Sequence, residues 1–238
     1  MVTGGGGGIG SAICRRLATL GASVVVVVAE RLERAEGLVA SLPGDGHLAV
    51  RARVDESAEV AELASVVAAY GRLDVLVNAA GVTRPVGHAD LAALDDELID
   101  RIFRVNWRGS FATIRAFQTM LAGGDGGVVV NISSVAAVTG LGSNVAYCAS
   151  KAAIDSMTRS LARALAPAIR IVSVSPGWVE GEYAASMPRE ILDRQTAATP
   201  LGRLATPGDV ADAVEAALML RVTTGSIIPV DGGRPLGI

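Results

Sequence analysis

Tyr147 and Lys151 stand four residues apart in Tyr147-Cys148-Ala149-Ser150-Lys151, a spacing that puts both on one face of a helix. A phenol at its ordinary pKa of about 10 exchanges no proton near neutrality. An ammonium a few ångströms away, together with a cationic cofactor ring, favours the phenolate and is expected to lower that value by about one to three units. The pair is thus a proton donor and acceptor with its own tuning charge. Ser134 follows the apolar run Val128–Ile132, and its hydroxyl can donate to a carbonyl oxygen while Tyr147 gives or takes the proton. Asn106, in Val105-Asn106-Trp107, can hold a water that carries the proton on from Lys151. Each residue alone has an ordinary reading: a helix-surface pair, a turn serine, a buried amide serving the backbone. Their joint occurrence, in this order and on these elements, is what points to acid–base chemistry on a carbonyl or alcohol.

A second constellation lies at the front. Thr3-Gly4-Gly5-Gly6-Gly7-Gly8-Ile9-Gly10 runs straight into an amphipathic stretch from Ser11 to Leu20. Glycines allow a tight turn and close approach to a pyrophosphate, and the helix that follows offers free N–H groups and a positive dipole. A phosphate-binding P-loop is excluded, because no Lys-Ser/Thr pair follows the last glycine. Choice between NAD and NADP rests on the end of the next strand, Val28-Ala29-Glu30-Arg31. A carboxylate there takes ribose hydroxyls and an arginine takes the extra phosphate, so Glu30 and Arg31 point to opposite answers. Both also read as solvated helix-start charges. The assignment leans to NAD through Glu30.

These residues need a scaffold, and its pattern is plain. Ser23–Val28, Val75–Asn78, Val128–Ile132, Ile169–Val174 and Ser226–Val230 are contiguous apolar runs, expected as strands buried on both faces. His47–Val54 is a weaker strand. Helices are expected over Ile9–Leu20, Arg31–Leu42, Glu56–Tyr70, Leu94–Met120 in two pieces, Ala146–Ala166 and Pro207–Leu220. Such alternation predicts right-handed βαβ units and a doubly wound parallel sheet of about seven strands with helices on both faces. Only Met1 and Val2 precede the glycine run, so the first strand is either very short or begins upstream. The segment Gly181–Leu204 reads as irregular and too long for an ordinary loop, a candidate substrate lid.

Composition narrows the setting. In 238 residues, 21 Lys+Arg against 24 Asp+Glu give a net charge of −3, with half the residues apolar and 19% charged. That excludes disorder and, with no basic concentration, a nucleic-acid surface. The length suits one domain, 1–238. No membrane span or signal peptide is read, and Cys14 and Cys148 show no metal spacing and suit a reducing, cytoplasmic compartment. With two histidines, His47 and His88, no zinc site is expected. Asp95-Asp96-Glu97 reads as a helix start, not a metal cluster.

The chain resembles the short-chain dehydrogenase/reductase family, in its compact single-domain, 3-oxoacyl-[acyl-carrier-protein] reductase-like branch. Thr3-Gly-x-x-x-Gly8-Ile9-Gly10 matches its cofactor loop and Asn78-Ala79-Ala80-Gly81 its motif after the fourth strand. Asn106, Ser134, Tyr147 and Lys151 fall on its catalytic tetrad. Ser175-Pro176-Gly177 falls on its nicotinamide turn and Val230-Asp231-Gly232-Gly233 on its C-terminal signature. The resemblance spans essentially the whole chain. It implies a Rossmann fold and an NAD(P)-dependent exchange of a secondary alcohol with a ketone on a small-molecule or acyl-carrier-bound substrate. It also implies that Lys151 and Tyr147 touch the nicotinamide ribose, that Val54 and Asn78–Gly81 line the adenosine side, and that Val179 lies beside the Pro176-Gly177 turn. Four features depart from the family pattern, all at the cofactor: the acid after the second strand, Arg53 where an Asp is usual (with Asp55 two residues on), Gly181 for a Thr, and the truncated first strand, which is expected to remove support from the glycine loop.

The remaining readings are plainer. Trp178 and Tyr183 are candidate walls of the substrate pocket, Cys148 a packed apolar residue, His88 a loop histidine. A non-catalytic dinucleotide-binding or regulatory protein is the rival from another class; a dehydratase or epimerase would need a substrate domain that the length does not provide. Apolar faces on Leu94–Met120 and Ala146–Ala166, and the apolar end Pro235-Leu236-Gly237-Ile238, lead to the expectation of a homotetramer.

Overall fold

The computed structural model describes residues 1–234; the apolar end 235–238, on which part of the oligomer expectation rests, lies outside them. Where valines and isoleucines follow one another without a polar break, both faces of the strand are apolar and only a central sheet position can bury them. This holds for β2 (Val25–Val28), β5 (Gly127–Ile132) and β6 (Ile169–Pro176), whose residues are almost entirely buried. With β1 (Val2–Thr3), β3 (Leu48–Arg51), β4 (Val75–Asn78) and β7 (Ile227–Val230) they form one parallel sheet in the order β3-β2-β1-β4-β5-β6-β7. Strand order reverses between β1 and β4, so a crevice opens there at the carboxyl ends of the strands.

Between strands lie α1 (Gly8–Thr19), α2 (Leu32–Ala40), α3 (Ser57–Ala68), α4 (Asp96–Phe103), α5 (Ser110–Leu121), α6 (Ala136–Thr139), α7 (Val145–Leu165), α8 (Glu182–Ala185), α9 (Arg189–Ala197) and α10 (Pro207–Met219). One apolar cluster joins α1, α2 and α10 to one face of the sheet through Ile13, Leu17, Leu38, Val210 and Val214. A second joins α3, α5 and α7 to the other through Leu63, Ile114, Phe117, Leu121 and Met157.

Five expectations need correction. The segment 181–204 is not irregular: it folds into α8 and α9, and Val179 pairs with Ala205 in an isolated parallel bridge. β7, expected to be buried on both faces, is only partly buried, as is the weaker strand β3, because among the described residues each has a neighbour on one side alone. Leu94–Met120 does not break in two; a π-helical turn, Arg104–Gly109, joins α4 to α5 without a loop. Arg31 is not helical: it lies in the left-handed region at φ 53°, and α2 starts after it. The short first strand does not leave the glycine loop unsupported. β1 is flanked by β2 and β4, Gly5 N donates to Val27 O at 3.0 Å, and Ala79 N donates to Thr3 O at 3.2 Å.

Candidate active site

α7 carries the proton chemistry, and its start is defined by a residue the sequence reading passed over. Asn144 caps the helix, its Oδ1 accepting from Tyr147 N at 2.7 Å while its Nδ2 donates to Arg84 O at 2.8 Å. The cap fixes the first turn and ties it to the segment after β4. Tyr147 therefore stands at the mouth of the crevice, next to Ser134, which follows β5 and whose Oγ accepts from Ala136 N at 3.2 Å. The Ser134 hydroxyl lies beside the phenol and favours its ionised form. One turn later the buried Lys151 donates from Nζ to Ile132 O at 2.8 Å, with Nζ 5.6 Å from the centre of the Tyr147 ring.

Among the protein's own groups, burial acts on Tyr147 more strongly than any neighbouring charge. Burial pushes its phenol up to about 12, outweighing the Ser134 hydroxyl that acts in the opposite direction. Lys151, for the same reason, falls to about 8, with the Asp155 charge holding it up. Desolvation disfavours both charged forms, and the lysine's nearest polar contact is a backbone carbonyl. In the protein by itself Tyr147 is thus a firmly protonated donor.

Asn106 lies in the π turn, fully buried. Such turns insert one residue into a helix and recur at functional sites. Its side chain is not free to hold a water as expected: Oδ1 accepts from Val82 N at 2.8 Å, and Nδ2 donates to Val82 O at 3.2 Å and Ser150 Oγ at 3.1 Å. Ser150 Oγ in turn donates to Tyr147 O at 2.8 Å. Asn106 thereby joins three pieces of chain, α7, the π turn and the segment after β4. A Cβ added to Gly81 would sit 3.4 Å from Asn106 Oδ1 and 3.8 Å from Lys151 Nζ, which places both beside that glycine. The four candidates Asn106, Ser134, Tyr147 and Lys151 are brought together.

The glycine loop lies across the same crevice. Gly10 must be glycine, since a Cβ would fall 2.2 Å from Gly4 O; Gly4 has φ 65° and its Cβ would meet Ala80 N at 2.8 Å. Thr3 joins the loop to the fourth-strand motif, Ala80 N donating to Thr3 Oγ1 at 3.3 Å, while Ile9 packs onto the first core cluster. No side chain caps α1, and Gly7 and Gly8 are exposed, so the first amides of that helix face outward with room before them. This is the donor set a pyrophosphate needs, and the residues fit a dinucleotide. Asn78 is held by Asn131 and Thr113, at 3.0 and 2.7 Å. The Pro176-Gly177 turn is held at both ends: Val135 N donates to Pro176 O at 3.0 Å and Gly177 N to Val230 O at 2.9 Å. Glu30 and Arg31 are exposed at the end of β2, whereas Val54 is buried against Gly109 of the π turn. Asp55 is buried between Arg53 and Arg104 at 3.1 and 3.3 Å. Trp178 and Tyr183 lie with ring centres 6.1 Å apart beside α8. Cys14 and Cys148 are both buried thiols, and no group of three metal-ligating side chains occurs among the described residues. No helix is long and apolar enough to cross a membrane among them either.

A signal present in the sequence and not used was the basic composition: of 21 lysines and arginines, Lys151 is the only lysine. Where arginine serves every other cationic position, one retained ammonium marks a place that needs a compact charge with a movable proton.

Residues 5–234 match the family model described as enoyl-(acyl carrier protein) reductase. A protein of Streptomyces violaceoruber, named as a ketoacyl reductase of the granaticin polyketide synthase, is 40% identical over 99% of this chain and 95% of its own. Cis-4-hydroxycyclohexanecarboxylate dehydrogenase of Sinomonas cyclohexanicum is 35% identical over 98% of this chain and 94% of its own. Among solved structures, the 3-ketoacyl-(acyl-carrier-protein) reductase of Brucella melitensis complexed with NADH superposes with a TM-score of 0.89 at 32% identity, covering 98% of this chain and 96% of that one. The fold and site define a Rossmann-type oxidoreductase, and the chain belongs to the short-chain dehydrogenase/reductase family. It is an NAD(P)-dependent enzyme acting between alcohols and ketones.

Proposed function

We propose that the protein reduces the ketone of a 3-oxoacyl thioester, carried on an acyl carrier or a smaller thiol, with Tyr147 as proton donor. The observation that carries this reading is the convergence of Tyr147, Ser134 and Lys151 at the carboxyl ends of β5 and β6, facing the glycine loop. The bound dinucleotide supplies the hydride. Ser134 Oγ and the Tyr147 hydroxyl hydrogen-bond the ketone oxygen and fix its orientation. As that oxygen gains negative charge, Tyr147 transfers its proton to it; a phenol is far more acidic than the alcohol formed, so the transfer runs downhill. Lys151 opposes the charge left on the phenolate and serves the nicotinamide ribose. Asn106 holds α7, the π turn and the segment after β4 in register through Ser150 and Val82. Val138, Leu141 and Val145, exposed between β5 and the first turn of α7, are apolar and suit an acyl chain. The names of relatives that act on oxoacyl groups support the substrate class.

The cofactor is read as NAD(H). No described ion pair uses Glu30 or Arg31, and the reading rests on the Glu30 carboxylate, exposed at the end of β2, taking the ribose hydroxyls. The segment 181–204 closes the substrate side as a helical lid on a single-domain enzyme, and the assembly is read as a cytoplasmic homotetramer. A panel of 3-oxoacyl thioesters and cyclic ketones, followed by oxidation of NADH and NADPH, tests the reading. Turnover of thioesters well above cyclic ketones is expected, and equal or lower turnover removes the substrate assignment.

A further inference from the structure

Tyr147, Lys151 and Asp155 follow one another on α7 at four-residue intervals, so their side chains stack along one face of the helix. Asp155 plays no part in the reading above. It is 3% exposed, and its Oδ1 is left without a hydrogen-bond partner among the described residues. A buried carboxylate oxygen in that condition is costly and calls for a reason.

Its surroundings supply one. On its own helix, Lys151 lies one turn before it and Arg159 one turn after. From the sheet, Ser133 at the end of β5 and Ser173 of β6 face it. Burial raises the Asp155 carboxyl, and those four groups draw it back toward the ionised form. The relation is mutual, because burial lowers Lys151 and the Asp155 charge opposes that. The two do not form an ion pair: Lys151 Nζ is committed to Ile132 O at 2.8 Å, and Ser133 Oγ donates to Lys151 O at 3.3 Å. The carboxylate therefore acts through a dry interior, where one charge is felt strongly.

We propose that Asp155 is a positioning residue of this active site, a buried counter-charge that keeps Lys151 an ammonium so that Tyr147 faces a cation and not a neutral amine. Its catalytic consequence rests on the roles given to Tyr147 and Lys151 under Proposed function; its electrostatic content does not. With Asp155 uncharged, burial alone acts on Lys151, and the ammonium is lost at lower pH.

The single lysine makes a direct test available. Protein grown on lysine labelled with carbon-13 at Cε shows one side-chain resonance, whose shift follows the protonation of Lys151 with a midpoint near 8 in the wild type. Asp155→Asn, isosteric and uncharged, is expected to move that midpoint down by about one unit, and Asp155→Glu to bring it back toward wild type. If Asp155→Asn does not fold, Asp155→Ser is read by the same criterion. An unchanged midpoint overturns the proposal whether or not the protein turns over any substrate. In ketone reduction, at saturating dinucleotide, the alkaline limb of the kcat profile should fall with the resonance while the KM for the ketone holds. A shifted resonance with an unshifted profile would retain the Asp155–Lys151 coupling and overturn its catalytic consequence.

Discussion

At the scale of single residues, the site is built from groups that burial holds in their neutral or hydrogen-bonded forms. Tyr147 at about 12 keeps its proton at any ordinary pH, which suits a donor to a newly formed alkoxide. Tyr147→Phe removes the proton and little else. Turnover should drop by about a thousand-fold or more, while NADH affinity, measured by fluorescence, stays within a few-fold. A variant that kept most of the wild-type rate would falsify the donor role. Lys151→Ala should lower both rate and cofactor affinity, because the ammonium serves the phenol and the ribose alike. At the other end of the crevice, Glu30→Ala should weaken NADH much more than NADPH in the same binding assay. A wild-type preference for NADPH would instead move the assignment to Arg31.

At the scale of elements, the caps and turns decide where side chains point. Asn144 sets the register of α7 and so the height of Tyr147 above the sheet. The π turn Arg104–Gly109 keeps Asn106 inside a continuous helix while turning its amide onto Val82. α10, which covers β6 and β7, starts with a capping box: Thr206 and Asp209 bond each other's backbone amides, and Arg203 pairs with Asp209 at 2.6 Å. Those partners, Arg203 first and then Thr206, hold the Asp209 carboxyl well below the usual carboxylate range. A depressed folded-state pKa gives stability that is present above the unfolded value of about 3.9 and is lost as pH falls through the folded one. Thr206→Ala should cost about 1 kcal/mol at neutral pH and should flatten the acid side of the stability curve. Urea melts at neutral and acid pH check both, and an unchanged midpoint would show that the box contributes nothing.

At the scale of the molecule, apolar surface remains where a monomer has no use for it. Trp107 and Phe111 stack with ring centres 6.0 Å apart, and Arg115 lies over Phe111, all beside one another on the π turn and α5. Met219, Leu220 and Val222 are exposed at and after the end of α10, and β7 is an outermost strand among the described residues. Open edges and apolar patches of this kind are ordinarily covered, and two self-complementary interfaces would give dihedral symmetry. Light scattering at micromolar concentration should therefore read about four times the chain mass of 24.2 kDa; a mass near that of one chain removes the assembly.

What could be read without coordinates was whatever rests on local spacing. Contiguous valines at 25–28 and 128–130 announce buried parallel strands, because no other position hides both faces. Glycines before a helix announce an anion site, because only a bare backbone approaches a phosphate closely, and Tyr147 with Lys151 announces a shared helix face. The tertiary structure decided what depends on neighbours far apart in sequence. It showed that Asn106 spends its amide on Val82 and Ser150, that 181–204 is helical, and that Asp155 lies under Lys151 beside Ser133 and Ser173. It also showed that burial, and not the Lys151 charge, dominates at Tyr147 among the protein's own groups. Spacing along a helix reports which charges are close, but desolvation depends on everything packed around a group, and that is a property of the folded chain alone.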